Sequence, residues 1–266
     1  MTDAPLIIGT NLLTGAAFAV LTGTESPSYK VDSIADGDLL SPAVIQADGG
    51  ESGGVDITAT LASAAMPTVI LLGGHRHDTA GARSVAASAL LTVAYWDGAV
   101  WNTILNAAPN DGPSQGSRIY RLNAHPPSTQ YLIRLNYFDP LQVLTIPEIV
   151  LAEAVEMDFI ELGYDPYREV TIATKFEAET GRRWVNVTGR RLELKPQWSA
   201  IDPTLAAKID LIREQRFEAG LPIWWAWMPD TRPTEVYLMQ AKQMPHMPIA
   251  RAGNLRSITL DLVEAV

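Results

Sequence analysis

The chain has 266 residues, of which 47% are apolar and 19% charged, so it is not a disordered protein and can hold one large or two ordinary domains. Its formal net charge of −10 disfavours nucleic acid and anionic membranes as partners. It has no cysteine, which excludes disulfides, thiolate catalysis and thiolate metal sites.

The charge is unevenly distributed along the chain. The first 157 residues carry 6 Lys+Arg and 15 Asp+Glu, whereas the rest carry 14 and 15. This asymmetry predicts two modules, residues 1–157 and 158–266. The first 23 residues have no basic segment, and no run reaches the roughly 18 apolar residues of a membrane helix. We therefore expect no signal peptide, no membrane insertion and synthesis in the cytoplasm.

The first module has the pattern of short strands separated by turns. "VDITATL" (55–61) alternates apolar and polar residues, "PTVILLGG" (67–74) is continuously apolar, and "SALLTVAYWDGAVW" (88–101) contains an Asp97-Gly98 hairpin turn. The remaining predicted strands are 118–124, 129–138 and 144–155. Turns about ten residues apart predict a β-sandwich or barrel, and of these we favour a jelly-roll-like β-sandwich.

The second module is predicted to be a β-sandwich or barrel with a long hairpin and one α-helix. The hairpin covers 168–194, with its turn near 179–181, and the helix covers 203–219. Asp202 is the expected N-cap of this helix, Pro203 its first residue and Gly220 its C-terminal stop. The segments predicted to follow as strands are 223–228, 234–242 and 256–266.

The segment "GGHRHD" (73–78) raises the question of a metal site. His75 and His77 are two residues apart beside an aspartate, but the other histidines, His125 and His246, lie in proline-rich segments. A zinc site needs a third or fourth ligand, and a turn after the apolar strand needs none. We favour the turn and expect no metal and no cofactor.

No catalytic motif is present. The sequence lacks a P-loop, a G-x-G-x-x-G segment after a strand, and a serine nucleophile elbow. The Asp36–Asp38 pair favours a turn, with a Ca²⁺ site or a catalytic pair as alternatives. We therefore expect no enzyme, and a carbohydrate-active hydrolase is the third reading after the two that follow.

Two segments of the first module resemble the galactose-binding-domain-like, discoidin-type β-sandwich. These are "IADGDLLSP" (34–42) and the stretch from "VDITATL" to the glycine–histidine turn (55–75). The family's tryptophan after the "DGD" loop is replaced by Ala43-Val44. The resemblance implies a sandwich whose loops could contact a sugar.

The layout of the whole chain resembles tail-tip proteins of long-tailed bacteriophages and gene transfer agents. The layout is a sandwich followed by the "GRR" hairpin, one helix, "GLPIWW" and closing strands. The resemblance implies a ring-forming distal tail protein in the virion, for example a hexamer, which joins the tail tube to the baseplate. Its partners would be copies of itself, tail tube protein and other baseplate proteins.

Two sets of residues follow from these readings. Arginines are favoured at protein interfaces, so the four hairpin arginines are candidate ring contacts: Arg182, Arg183, Arg190 and Arg191. The alternative function is a carbohydrate-binding module that contacts the host surface, with these candidate sugar contacts: Trp96, Trp101, His75 and His77.

Overall fold

The computed structural model describes residues 3–39, 41–48, 54–73, 90–109, 117–136, 143–177, 183–251 and 255–265. Within these ranges the protein is mainly β, with antiparallel sheets and one α-helix, so the predicted fold class is confirmed. The strands in chain order are β1 Leu6–Ile8, β2 Ala17–Thr22, β3 Thr24–Glu25, β4 Ala43–Gln46, β5 Gly54–Ala65, β6 Val69–Gly73, β7 Leu90–Trp96, β8 Trp101–Pro109, β9 Arg118–Arg121, β10 Ser128–Asn136, β11 Val143–Ile146, β12 Glu148–Ala152, β13 Val155–Glu156, β14 Glu169–Glu177, β15 Arg183–Leu194, β16 Gln197–Ile201, β17 Ile223–Ala226, β18 Val236–Ala241, β19 Ile249–Arg251, β20 Leu255–Thr259 and β21 Leu262–Glu264.

The chain divides into two compact units, but not at a single point. Unit 1 comprises Met1–Asp3, Thr10–Ala154 and Met228–Val236, and unit 2 comprises Ala4–Gly9, Val155–Trp227 and Tyr237–Val266. The modules predicted as 1–157 and 158–266 differ from these units in two segments, Ala4–Gly9 and Met228–Val236, whereas the main boundary after Ala154 lies three residues from the predicted one. β1 lies in unit 2 because it pairs with β13 and β17. The segment from Met228 lies in unit 1, where the carbonyl of Pro233 accepts a hydrogen bond from Ile119 N (2.9 Å).

Unit 1 is a β-sandwich. Its five-stranded sheet has the order β2-β5-β10-β7-β8, and two three-stranded sheets have the orders β11-β4-β3 and β12-β6-β9. The alternation predicted in β5 is present, since Val55, Ile57, Ala59 and Leu61 are buried. All five residues of β6 are buried, so both faces of this strand are covered, as its continuously apolar sequence predicts. One core joins residues of all three sheets.

The segment 144–155, predicted as one strand, is divided among β11, β12 and β13, which lie in three different sheets. The break between β11 and β12 falls at Pro147. Proline has no backbone N–H, so it cannot donate to a strand ladder. The chain uses this position to pass from one sheet to the next.

In unit 2 an α-helix shares its core with two sheets. The seven-stranded sheet has the order β13-β1-β17-β18-β21-β15-β14, and the smaller sheet has the order β16-β20-β19. Trp225 is fully buried, and the same core includes Trp198 of the smaller sheet and Ile209 of the helix. "IWWA" is therefore a buried strand, consistent with its continuously apolar sequence.

The helix, α1 Pro203–Ile212, begins as predicted but ends earlier than residue 219. The Asp202 carboxylate accepts hydrogen bonds from Thr204 N (2.7 Å) and Leu205 N (2.9 Å). After Ile212 the chain forms one turn of π-helix, Arg213–Phe217. None of the helices in the described ranges is long and apolar enough to cross a membrane.

The predicted hairpin 168–194 is formed by β14 and β15. Their register extends from Glu169 opposite Leu192 to Glu177 opposite Arg183, with a bulge beside Ile172. The turn predicted near residues 179–181 lies outside the described residues.

Candidate functional site

The hairpin formed by β7 and β8 places two candidate sugar contacts side by side. Trp96 ends β7 and Trp101 begins β8, and the two residues lie directly opposite each other. Their ring centroids are 5.3 Å apart, with the planes inclined at 56°. Both indoles are partly exposed. The hydroxyl of Ser128 on β10 donates to Trp96 O (2.8 Å) and so ties the hairpin end to the neighbouring strand.

The turn between the tryptophans is held by the carboxylate of Asp97. It accepts from Ala99 N and Val100 N (both 2.8 Å) and from the Asn102 amide nitrogen (2.7 Å). Hydrogen bonds from Val100, then Ala99, then Asn102 lower the pKa of Asp97. Gly98 supplies the left-handed residue of the turn, with φ +102°. The predicted Asp-Gly turn is therefore present, and it keeps a carboxylate next to the indoles.

The tryptophans lie on the outer face of the five-stranded sheet. Leu91 and Val93 of β7 belong to the core of unit 1, and Tyr95 packs against that core. Side chains alternate between the two faces of a strand, so Trp96 and its cross-strand partner Trp101 point away from the core. Their exposed surface thus belongs to the sheet face that unit 1 does not cover with its own core.

Polar side chains continue this outer face across the sheet. Gln130 precedes the core residue Tyr131, which lies opposite Tyr95, so Gln130 is on the same face as Trp96. Thr60 lies opposite Gln130 on β5 and is exposed. An amide and a hydroxyl therefore share a face with two indoles, a combination that the sequence alone did not indicate because the residues come from different strands.

A buried histidine supports this hairpin from the core side, and no sequence signal pointed to it. The His125 ring is 5.3 Å from that of Tyr95. Its Nδ1 is 3.0 Å from Asn123 O, and its Nε2 is 3.2 Å from the Tyr131 hydroxyl. That hydroxyl donates to Ala65 O (2.6 Å), and burial raises the pKa of Tyr131 to about 12. These are the contacts of a structural histidine.

The other candidate sugar contacts, His75 and His77, lie outside the described residues. Among the residues that are described, no group of three or more histidine, aspartate or glutamate side chains could hold a metal ion. Asp36 forms a turn, because its carboxylate accepts from Asp38 N (2.8 Å) around Gly37, which has φ +81°.

Of the four candidate interface arginines, Arg190 and Arg191 are the two whose side chains the structure describes. Arg182 lies outside the described residues, and Arg183 is the first residue of β15. Arg190 is 3.7 Å from the Glu169 carboxylate, and Arg191 is 3.5 Å from that of Glu193. Because Arg190 and Arg191 are consecutive strand residues, they point to opposite faces of the hairpin.

Comparison with known proteins gives a likeness in structure only. No protein-family model matches the chain, and no curated protein matches it. A family 32 carbohydrate-binding module from C. perfringens NanJ, in complex with galactose, is 12% identical and covers 56% of this chain and 99% of its own, with a TM-score of 0.41. Chitosan-binding module 1 of a Paenibacillus sp. IK-5 chitosanase/glucanase is 14% identical and covers 53% and 98%, with a TM-score of 0.40. A C. perfringens CBM32 module in complex with GalNAc-β-1,3-galactose is 14% identical and covers 54% and 99%, with a TM-score of 0.41.

These similarities are too low to support an argument about ligands or function. The description of unit 1 as a β-sandwich rests on its own sheet order and core. At this level the protein is defined as a mainly β chain of two units, one of them a sandwich with an aromatic hairpin on its outer face.

Proposed function

We propose that the protein is a non-enzymatic carbohydrate-binding protein, in which unit 1 holds a sugar against Trp96 and Trp101. The observation that carries the proposal is the pair of partly exposed indoles fixed 5.3 Å apart at the end of one hairpin. A pyranose ring has an apolar C–H face and a rim of hydroxyls. The indoles can stack on the apolar C–H face, because aromatic side chains bury apolar surface with little loss of conformational entropy.

The polar groups of the same face match the rim of the sugar. Gln130 offers an amide that donates and accepts, and Thr60 offers a hydroxyl. The Asp97 carboxylate accepts two hydrogen bonds at Oδ1 and one at Oδ2 within its turn, so Oδ2 is the oxygen that retains capacity to accept from a sugar hydroxyl. The pair of indoles supplies affinity and these groups supply orientation, as in other concave or flat ligand sites.

Binding to a glycan array, followed by titration calorimetry with the best glycan, tests this proposal. Trp101→Ala is expected to weaken binding at least tenfold, because it removes half of the stacking surface. Trp227→Ala is the matched control, since it deletes another partly buried indole in unit 2. Equal losses in both variants, or unchanged binding by Trp101→Ala with its fold intact, would refute the assignment.

A second candidate function is a structural role as a ring-forming distal tail or tail-tip subunit of a bacteriophage virion, joining tail tube to baseplate. The observation that favours it is the hairpin of β14 and β15, which exposes apolar side chains on both faces: Ile172, Val185 and Val187. Exposed apolar strand surface is typical of contacts between subunits. In this role the partners of the chain would be other copies of itself in the ring, the tail tube protein and other baseplate proteins.

Light scattering of the purified protein with and without tail tube protein tests the second candidate. A closed oligomer such as a hexamer is the expected result, in solution or on the tube. A chain that stays monomeric in both conditions contradicts the tail-ring role and leaves sugar binding untouched.

A further inference from the structure

The last strand of the large sheet in unit 2 offers a pairing edge. β14 ends the strand order and, among the described residues, is paired on one side only, with β15. Such an edge presents backbone N–H and C=O groups to any strand that can reach it. The edge is nine residues long, from Glu169 to Glu177, whereas a typical strand has about five or six residues.

The hairpin that carries this edge is exposed on both faces. Val185 and Val187 are 59% and 56% exposed, although they continue the face on which Leu192 is buried in the core. Ile172, on the opposite face, is 37% exposed. A two-stranded ribbon without a covered face is only marginally stable in water. A partner that extends the sheet would remedy this.

The alternation of hydrogen bonds shows which residues face the edge. Arg168 O accepts from Glu193 N (2.9 Å), and Ile172 O accepts from the Thr188 hydroxyl (3.2 Å), so residues 168 and 172 direct their backbone groups towards β15. In a strand, neighbouring residues direct these groups to opposite sides. Thr171 and Ala173 therefore direct theirs outward, to the unpaired side.

We propose that β14 pairs antiparallel with β14 of a second copy of this chain, about a two-fold axis at Ile172. The outward residues must face one another, which restricts the symmetric registers to those centred on a residue. In the register centred on Ile172, Thr171 faces Ala173 of the second copy on both sides of the axis. Residue 169, a glutamate, then faces residue 175, a lysine, and this occurs twice by symmetry.

Neighbouring registers are less favourable. Centring the pair on residue 173 gives the longest overlap, but it places Glu169 opposite Glu177 twice, and like charges directly opposite destabilise a sheet. Centring it on residue 171 leaves Glu169 opposite Ala173 and removes the charge pairing. The register at Ile172 alone among these three pairs opposite charges, and it brings two isoleucines together on the axis, where they cover each other.

This contact goes beyond the proposed sugar binding and does not depend on it. It is isologous, so it closes at two copies. A tail ring would need an additional contact elsewhere on the chain.

The absence of cysteine from the sequence makes the test specific. In the proposed register Ile172 occupies a non-hydrogen-bonded pair, where Cα atoms lie about 4.5 Å apart, which suits a disulfide. Ile172→Cys is therefore expected to form a covalent dimer under mild oxidation, with most of the chain cross-linked at micromolar concentration.

Two control variants distinguish cross-linking in this register from non-specific cross-linking between molecules. Val170→Cys lies on the same face of the same strand but, in this register, its two copies are four residues out of step, roughly 13 Å apart. Val187→Cys is more exposed than Ile172 but sits on β15, about three strand spacings from its symmetry mate, roughly 14 Å. Both are expected to remain uncross-linked.

Light scattering supplies the second readout. The unmodified protein is expected at twice the chain mass of 28.9 kDa. Thr171→Pro removes an outward N–H without removing a bond to β15, and is expected to give a monomer with an unchanged circular dichroism spectrum.

A monomeric wild-type protein at all concentrations overturns the proposal. So does a dimer or ring in which Ile172→Cys fails to cross-link, or in which Val170→Cys cross-links instead. Sugar binding by the Thr171→Pro monomer is measured separately, so failure of one proposal is not mistaken for failure of the other.

Discussion

Replacing Gly23 by alanine tests how the close approach of three strands in unit 1 depends on a missing side chain. Gly23 lies between β2 and β3 with φ +102°. A Cβ at this position would lie 2.9 Å from Gln46 O, 3.2 Å from Ile45 Cγ2 and 3.3 Å from Val55 Cγ2. The first contact is with backbone, which cannot rotate away, so the sheet itself would have to shift.

The expected destabilisation by Gly23→Ala is the sum of a backbone cost and a crowding cost. A second glycine, Gly98, isolates the backbone cost. A positive φ costs an alanine about 1–2 kcal/mol, and crowding in a packed site adds about 1–3 kcal/mol. Gly98 has the same φ of +102°, but a Cβ added there would meet no heavy atom of the described residues within 4 Å beyond its chain neighbours. We therefore expect Gly98→Ala to destabilise unit 1 by about 1–2 kcal/mol and Gly23→Ala by about 2–5 kcal/mol.

The assay is urea unfolding followed by circular dichroism, with hydrogen exchange of β5 amides to identify the transition of unit 1. Both glycines belong to that unit, so the two variants report on the same transition. Equal destabilisation by the two alanines would refute the reasoning, because it would mean that the contacts around Gly23 relax without cost.

Three further predictions concern individual hydrogen bonds and charges. Tyr131→Phe should destabilise unit 1 by about 1–3 kcal/mol, because the Ala65 carbonyl and His125 Nε2 both lose their hydrogen-bond partner, the Tyr131 hydroxyl. The raised pKa of Tyr131, about 12, means that its contribution is complete below pH 10 and is lost as the pH rises towards 12; alkaline unfolding should show this loss in the wild type and not in Tyr131→Phe. Asp202→Ala should lower the thermal midpoint of unit 2 by a few degrees and Asp202→Asn by less, since asparagine also caps helices. Hydrogen bonds from Leu205 and Thr204 lower the pKa of Asp202, so this stabilisation is present above the usual carboxylate pKa and should disappear as the pH falls through the lowered value in an acid titration. Arg134 and Asp56 form a bidentate pair in which the arginine side chain is 45% exposed and the aspartate side chain 13%. A double-mutant cycle that replaces each by alanine should give a coupling energy below about 1 kcal/mol, and a larger coupling would contradict this estimate.

Local sequence signals predicted much of the secondary structure. Three features are each decided by residues close together in sequence: the alternation in β5, the Asp97-Gly98 turn and the Asp202-Pro203 helix start. Such signals act through backbone geometry and local hydrogen bonds, so no distant residue is needed to read them.

Local sequence patterns gave wrong element boundaries where the pairing of distant strands decides where a strand ends. The segment 144–155 was predicted as one strand, yet the chain changes sheets at Pro147, because the strands on each side pair with β4 and β6 respectively. The helix likewise gives way to a π-helical turn after Ile212, within a periodic pattern that predicted a longer α-helix.

The candidate site was predicted in part. Trp96 and Trp101 could be placed together from the hairpin turn alone, whereas the supporting residues could not. His125 meets Tyr95 from a loop thirty residues further along the chain, and Thr60 reaches the outer face from another strand. Arg190 and Arg191, adjacent in sequence, point to opposite faces of the hairpin because side chains alternate along a strand.

Composition, period and turn chemistry are local properties, and they were enough to establish a cysteine-free, acidic, mainly β protein with one capped helix and a tryptophan hairpin. Three other facts needed the folded chain: β1 joins the unit formed by the distant C-terminal half, a polar row continues the face of Trp96 and Trp101, and β14 lies at the edge of its sheet. Those facts depend on which strands pair, and pairing is selected by the burial of whole faces against one another, not by any single segment.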